Sequence, residues 1–344
     1  MDAFQIQRVI DEFQPLVVAE PQTLSDEDVE REARRVWPEG ELPIEKAGLF
    51  SELFCDAIPN NRTSLYFKPQ ITVEGGVVHV GGATNVATMR ATMVRALRAA
   101  GIADVRGGMR LLPEEGRLDG ELFGVCAAEA ELTYDRPSVE AGRQTQLTHG
   151  EPVFLLDYDA TVDMYLLHAA DGYWGWARAE AIRVVSSVEF REQVELWGGA
   201  AGTAADSKKA AAIGVEVVER ALELLHMPYV FGGVSPTGLD CSGFVRWVWE
   251  CAGVSLARDA AQQFPTGRMV ATRWHREGIR AGDLLFFADT CGRIYHVTIA
   301  LDETHYVHAA APAVRINSLK AGDRLYDARR AEAFFAAKRP MHNS

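Results

Sequence analysis

The order of periodicities in the last third of the chain constrains the fold more than any other feature. Over 206–226, Val215, Val218, Ala221, Leu222 and Leu225 recur three and four residues apart, which predicts a helix with one apolar face. Pro228 ends it, and an irregular loop with several glycines and Pro236 leads to Asp240. There the pattern turns helical again, with Phe244, Val245, Val248 and Trp249 recurring until Gly253. Three short strand candidates follow, at 283–288, 294–300 and 305–309. Helices first and a meander of antiparallel strands afterwards is an α+β order of events.

The 344 residues suit about two domains, with room for a third small one. Residues 1–40 alternate helical periodicity with acidic stretches. Their start carries acids where a secretory signal has a basic flank, and so reads as an amphipathic helix. Ser25 is a candidate N-cap for LSDEDVEREARRVW, with Asp26, Glu27 and Asp28 in the first turn, where the helix dipole favours acids. Residues 50–80 are strand-like, and Gly75–Gly76 among Ile71, Val73, Val77, Val78 and Val80 predicts a hairpin turn. A helix over 83–100 closes at Gly101. From Cys126 the texture changes. Short apolar bursts with Tyr, Trp and Val across 130–185, separated by polar turns, predict a small β-barrel or sandwich, with Trp174 facing opposite Tyr173. Residues 186–203 read as a connector. The expected division is a mixed α/β region over 1–125, a β-barrel over 126–190, a linker over 191–204 and the α+β domain over 205–344.

Charge removes one class of partner. With 35 basic and 48 acidic residues the net charge is −13, which repels a phosphate backbone, and no basic run is interleaved with aromatics. No nucleic-acid partner is expected. No apolar run approaches the ~18–20 residues that span a bilayer, so no membrane span is expected. The five cysteines are widely spaced, without the clustering of a zinc site. Isolated thiols suggest a reducing compartment and a cytoplasmic location, or an extracellular or periplasmic one if a leader has been removed.

Cys241 falls in the first turn of the helix that Asp240 would cap. Unpaired amides and the dipole at that end favour a thiolate and predict a lowered pKa. The bland alternative is an inert buried cysteine. His296 lies between apolar residues in IYHVTIA, and His308 in HYVHAA on the next strand candidate. Pairing Ala300 with His305 sets the two histidines nearly opposite each other, within one residue of register, and the loop parity decides whether they share a face. His305 competes for the same role, but its odd spacing from His308 directs it to the other face. A thiolate, a histidine base and a second polar group that orients the base form a complete acyl-transfer set. A zinc held by Cys241 and the histidines is the weaker alternative, because no second cysteine or carboxylate clusters with them. Gly232 and Gly233 suit close backbone approach; no P-loop lysine and Ser/Thr follow them.

The strings YVFGG, LDCSGFVRWVW, RDA, GDLLFF, YHVTIA and HYVHAA, in that order over about 205–335, resemble the NlpC/P60 family of cysteine peptidases. GEPVFLL and DGYWGWA in the β-rich stretch resemble a bacterial SH3-like module. Together they resemble the γ-D-glutamyl-L-diamino-acid endopeptidases that process peptidoglycan peptides. The resemblance implies a papain-like catalytic domain in which Cys241 is the nucleophile, His296 the base and His308 its orienting partner, with the Tyr229 hydroxyl helping to stabilise the oxyanion. It further implies that Ser242 and Asp259 bind the free amino end of the peptide, with Tyr134 as the counterpart of a pocket-closing tyrosine. The implied substrate is a murein tripeptide or related muropeptide with a free N-terminal L-Ala, and no cofactor or metal is implied. Two alternatives stay open: a papain-like amidase or acyltransferase, and a cell-wall-binding protein with a silent catalytic module.

Overall fold

The computed structural model describes residues 3–13, 26–57, 63, 65–197, 204–235, 237–289 and 292–340. Helices α1 (Ala3–Glu12), α2 (Asp26–Val36) and α3 (Ala47–Asp56) precede the hairpin of β1 (Phe67–Glu74) and β2 (Val77–Thr84). Gly75 and Gly76, at φ +56° and +79°, make the expected two-residue turn, a conformation that glycine adopts without steric cost. After α4 (Thr92–Ala99), the short strands β3 (Val105–Gly107) and β4 (Arg110–Leu111) pair in parallel with β2. Two expectations are corrected here. Residues 50–56 are helical, because Phe50 and Phe54 lie one turn apart and bury together against α4 and the sheet. The helix expected from 83 begins at Thr92, since Ala83 and Thr84 complete β2 and Ala87–Ala91 is a 3-10 turn. The proposed cap Ser25 lies outside the described residues.

The next seven strands form one antiparallel sheet: β5 (Phe123–Cys126), β6 (Ala130–Tyr134), β7 (Arg143–Thr148), β8 (Pro152–Asp159), β9 (Met164–His168), β10 (Trp174–Arg178) and β11 (Ile182–Val184). Their order is β11-β5-β8-β9-β10-β6-β7. Among the described residues no ladder joins β7 to β11, so the expected barrel is not closed by strand pairing. Trp174 and Trp176, two apart on β10, share one buried face as alternation requires, and Tyr66 meets Trp174 edge-on at 4.7 Å. The expected connector contains a helix, α5 (Ser187–Leu196), started by Ser186, whose hydroxyl accepts from the Glu189 amide. Phe190 on α5 packs its ring 4.8 Å from both Phe123 and Phe154, which accounts for a helix where composition alone suggested a linker.

The last part follows the expected order. It comprises α6 (Ala204–Glu223), the short pair β12 (Val234–Ser235) and β13 (Gly238–Leu239), α7 (Cys241–Cys251), α8 (Ala260–Gln263), β14 (Arg268–Thr272), β15 (Leu284–Ala288), β16 (Ile294–Ala300), β17 (His305–Ala310), β18 (Ala313–Ser318), α9 (Ala328–Ala333) and β19 (Phe334–Arg339). Six of these strands form an antiparallel sheet in the order β14-β19-β15-β16-β17-β18. β15 to β17 are the three expected strands of the meander, β18 extends it by a fourth beyond those expected, and β19 returns to lie between β14 and β15. Val217, Val218 and Ala221 of α6 and Phe244, Val245 and Val248 of α7 bury with Leu285, Phe286, Val297 and Ile299 of the sheet in one core. Helix α1, from the far end of the chain, joins that core through Ile6 and Ile10, and Phe13, the residue after it, is buried there with its ring stacked 5.6 Å from His226.

Candidate active site

The site is built around the start of α7. Asp240 caps the helix: its Oδ1 accepts from the Gly243 amide at 2.8 Å and its Oδ2 from the Gly232 amide at 3.0 Å. The glycine loop therefore crosses the helix end in contact with it. A Cβ on Gly243 would lie 2.1 Å from the Gly233 carbonyl oxygen, and one on Gly233 would lie 2.3 Å from that of Gly238. Gly232 serves differently: its surroundings are open, and its φ of +79° is what calls for glycine.

Cys241 is the first residue of α7 and half-buried. Helix α7 packs across β16 and β17, and the thiol meets the backbone of Val297, the residue after His296. Burial above all, then the Asp240 carboxylate, pushes the thiol up from its ordinary pKa, while the backbone at Val297 and Ser242 acts the other way. This corrects the expectation of a lowered pKa. The helix start does present amides, but the sulfur is too far out of water, and too near its own capping carboxylate, for them to prevail.

Strands β16 and β17 pair Ile299 with Val307 and Ala300 with Tyr306. Continued along the strands, that register sets His308 across from Thr298 and His296 across from Ala310, so the two histidines share a face two residues apart. Their rings hydrogen bond, His296 Nε2 to His308 Nδ1, at 2.8 Å. His308 Nε2 in turn meets Asn317 Oδ1 at 3.0 Å. Both rings are buried, and burial, reinforced by the positive charges of Arg330 and Arg315, pushes both well below the ordinary histidine pKa. Burial therefore favours the neutral form of each ring.

The other expected residues divide. Tyr229 is half-buried against the core at the entry to the glycine loop, its amide donating to the Pro312 carbonyl at 2.9 Å; burial and the neighbouring Cys241 and Asp240 push its phenol up. Ser242 is buried, and its hydroxyl accepts from Arg258 at 2.9 Å. Asp259 is exposed at the start of α8. Tyr134 is buried in the apolar cluster of Tyr66, Leu156, Trp174 and Trp176, apart from the cluster that holds α7 and its sheet. His305 lies between two carboxylates, Asp302 at 2.9 Å and Asp323 at 3.1 Å, away from the His296–His308 pair.

Three neighbours were not singled out in the sequence. Arg258 pairs with Asp240 at 2.6 Å. Asn317 and Arg315 sit on β18, and Arg315 pairs directly across from His308. The signal for Asn317 was available in principle, since a β17–β18 hairpin puts residues two apart from Arg315 on the His308 face. Among the described residues no three His, Cys, Asp or Glu side chains group to hold a metal.

Residues 226–329 match the NlpC/P60 family model. The chain is 32% identical over 114 residues to a γ-D-glutamyl-L-lysine dipeptidyl-peptidase of Bacillus subtilis, covering 33% of this chain and 37% of the relative. It is 38% identical over 114 residues to dipeptidyl-peptidase 6 of Lysinibacillus sphaericus, covering 32% and 38%. Among solved structures, an NlpC/P60 family protein of Bacillus cereus aligns over 67% of each chain at 21% identity, with a TM-score of 0.32. The matched stretch spans little more than a third of these two curated relatives. The segment that matches the NlpC/P60 family model is the one that carries Cys241, His296 and His308.

Proposed function

We propose that this chain is a cysteine hydrolase that cleaves the bond between γ-D-glutamate and a diamino acid in short peptidoglycan peptides with a free N-terminal L-Ala. The observation that carries the proposal is the 2.8 Å bond between His296 and His308, on the strand whose Val297 backbone meets the Cys241 thiol. Names of relatives, a γ-D-glutamyl-L-lysine dipeptidyl-peptidase and a γ-DL-glutamyl hydrolase, support the substrate class.

In this reading the thiol and the imidazole are both neutral at rest. His296, through the ring nitrogen that His308 does not engage, takes the proton of Cys241 as sulfur attacks the glutamyl carbonyl. The Cys241 amide and the Tyr229 hydroxyl stabilise the oxyanion, each such donor being worth ~3–4 kcal/mol in the transition state. The departing amine takes the proton from His296, leaving a thioester. His296 then accepts a proton from water as it attacks, and returns it to sulfur when the acid is released. Ser242 and Asp259 contribute to holding the amino end of the peptide. In the same reading the chain divides at about 125 and 205, with an SH3-like module over 126–190 that borders the cleft; the seven-stranded antiparallel sheet supports that module.

The test is incubation with L-Ala-γ-D-Glu-diaminopimelate and L-Ala-γ-D-Glu-L-Lys, with products identified by mass. Release of L-Ala-D-Glu and the free diamino acid, abolished in Cys241→Ala while substrate affinity persists, is the expected result. Cleavage elsewhere, or turnover by Cys241→Ala near that of the parent chain, would reject it.

A further inference from the structure

We infer that Asn317, held by Arg315, is a positioning residue that sets which nitrogens carry protons along the His308–His296 pair, leaving His296 Nδ1 as the free lone pair. The inference rests on the reading of His296 as the base and extends it to residues outside the cysteine–histidine–histidine set.

The orientation of the Asn317 amide follows from its neighbours. Arg315 Nε, a donor, lies 3.1 Å from Asn317 Oδ1, and Asn317 Nδ2 donates to the Leu325 carbonyl at 3.2 Å. Rotating the amide would set two donors against each other on one side and two acceptors on the other, so both contacts select the same orientation. Arg315 is itself anchored, its NH1 group donating to the Ala310 and Ala311 carbonyls, and it is 4% exposed. Oδ1 is therefore an acceptor where it faces His308 Nε2 at 3.0 Å, and that nitrogen must carry the hydrogen. A neutral His308 then has its lone pair on Nδ1, which accepts from His296 at 2.8 Å. His296 must place its proton on Nε2, and Nδ1 is left unprotonated. The burial of both rings keeps them neutral, so each has a single ring proton to place. An acceptor two strands away from β16 thus decides which nitrogen of the base is basic.

The test reads ring tautomers from long-range 15N–1H spectra of the full chain labelled at histidine, at pH 7.5 and without substrate. Both rings are expected in the Nε2–H form. Asn317→Leu removes the acceptor, and is expected to shift His308 and His296 toward Nδ1–H and to lower kcat roughly 100-fold, with KM little changed. Asn317→Asp retains an acceptor and is expected to keep both tautomers and most of kcat. An Nδ1–H form of either ring in the parent chain would overturn the inference. So would an Asn317→Leu chain with unchanged tautomers, or with shifted tautomers and undiminished kcat. If Asn317→Leu does not fold, the parent and Asn317→Asp spectra decide the matter on the same criteria. Because the spectra need no turnover, a chain with the expected tautomers but no hydrolysis by Cys241 would overturn the functional reading alone.

Discussion

At the scale of single residues, burial decides the resting charge of the site. Cys241 is pushed up and His296 and His308 are pushed down, each chiefly because its charged form would sit out of water. In the proposed mechanism a neutral thiol and a neutral imidazole need the base to remove the proton during attack, so activity would depend on His296 staying unprotonated. Its pKa lies well below 6.5 in the folded chain. The acid limb of kcat/KM is therefore expected below pH 6.5, with activity flat from there to pH 8. A midpoint at 6.5 or higher in the pH–rate profile would mean that the ring is better solvated than its burial indicates. The cysteine was legible in its sequence position as a helix-start residue, but its elevated pKa was not. That depends on how much protein covers the sulfur, which no local pattern records.

At the scale of elements, two contacts place the chemistry. The first is the crossing of the glycine loop over the start of α7, where Gly243 lies so close to the Gly233 carbonyl that a methyl group has no room. Gly243→Ala is expected to cost ~1–3 kcal/mol in an unfolding titration, as overpacking does, and to lower kcat by displacing the cap. A variant with unchanged stability and rate would show that the loop moves aside freely. The second contact is the β16–β17 register. Pairing Ala300 with His305 would have put His308 on the face away from His296; the observed pairing of Ala300 with Tyr306 puts both on one side. Strand identities and the hairpin were readable from alternation and β-branched content. Register was not, because the turn that sets it is held by Asp302, whose Oδ1 accepts from the Thr304 and His305 amides at 2.7 Å.

Across the whole molecule, β19 ties the seven-stranded sheet to the six-stranded one. Lys338 is fully buried there, its Nζ donating to the carbonyls of Ala170 at 3.2 Å and Asp171 at 2.9 Å and lying 5.3 Å from the Phe264 ring. Burial lowers its pKa to about 7, with Asp171 and Glu151 opposing, and burial likewise raises Glu151 to about 7. Between pH 7 and the ordinary lysine value of 10.5 the unfolded chain holds a proton at Lys338 that the folded chain lacks, so this group makes stability rise with pH. Glu151 acts below that window: its folded form holds the extra proton between 4.5 and 7, and stability falls as pH rises through it. Lys338→Met removes the alkaline component. From pH 7 to pH 9 the Tm of the parent chain is expected to rise relative to that of Lys338→Met. Parallel Tm curves over that range would show that the ammonium reaches water.

What the sequence determined by itself is local. A capping aspartate, a cysteine in the next position, apolar residues along one helix face and alternation along three strands follow from period and from the backbone preferences of single residues. The tertiary structure decided what depends on residues distant in the chain. It set the face shared by His296 and His308, the acceptor Asn317 behind them, the burial that keeps the thiol protonated, and the packing of α1 and α5 against domains that their own composition does not name. Hydrophobic contact is non-directional and hydrogen bonds are short, so which partners meet is settled only when loops close and sheets take their register.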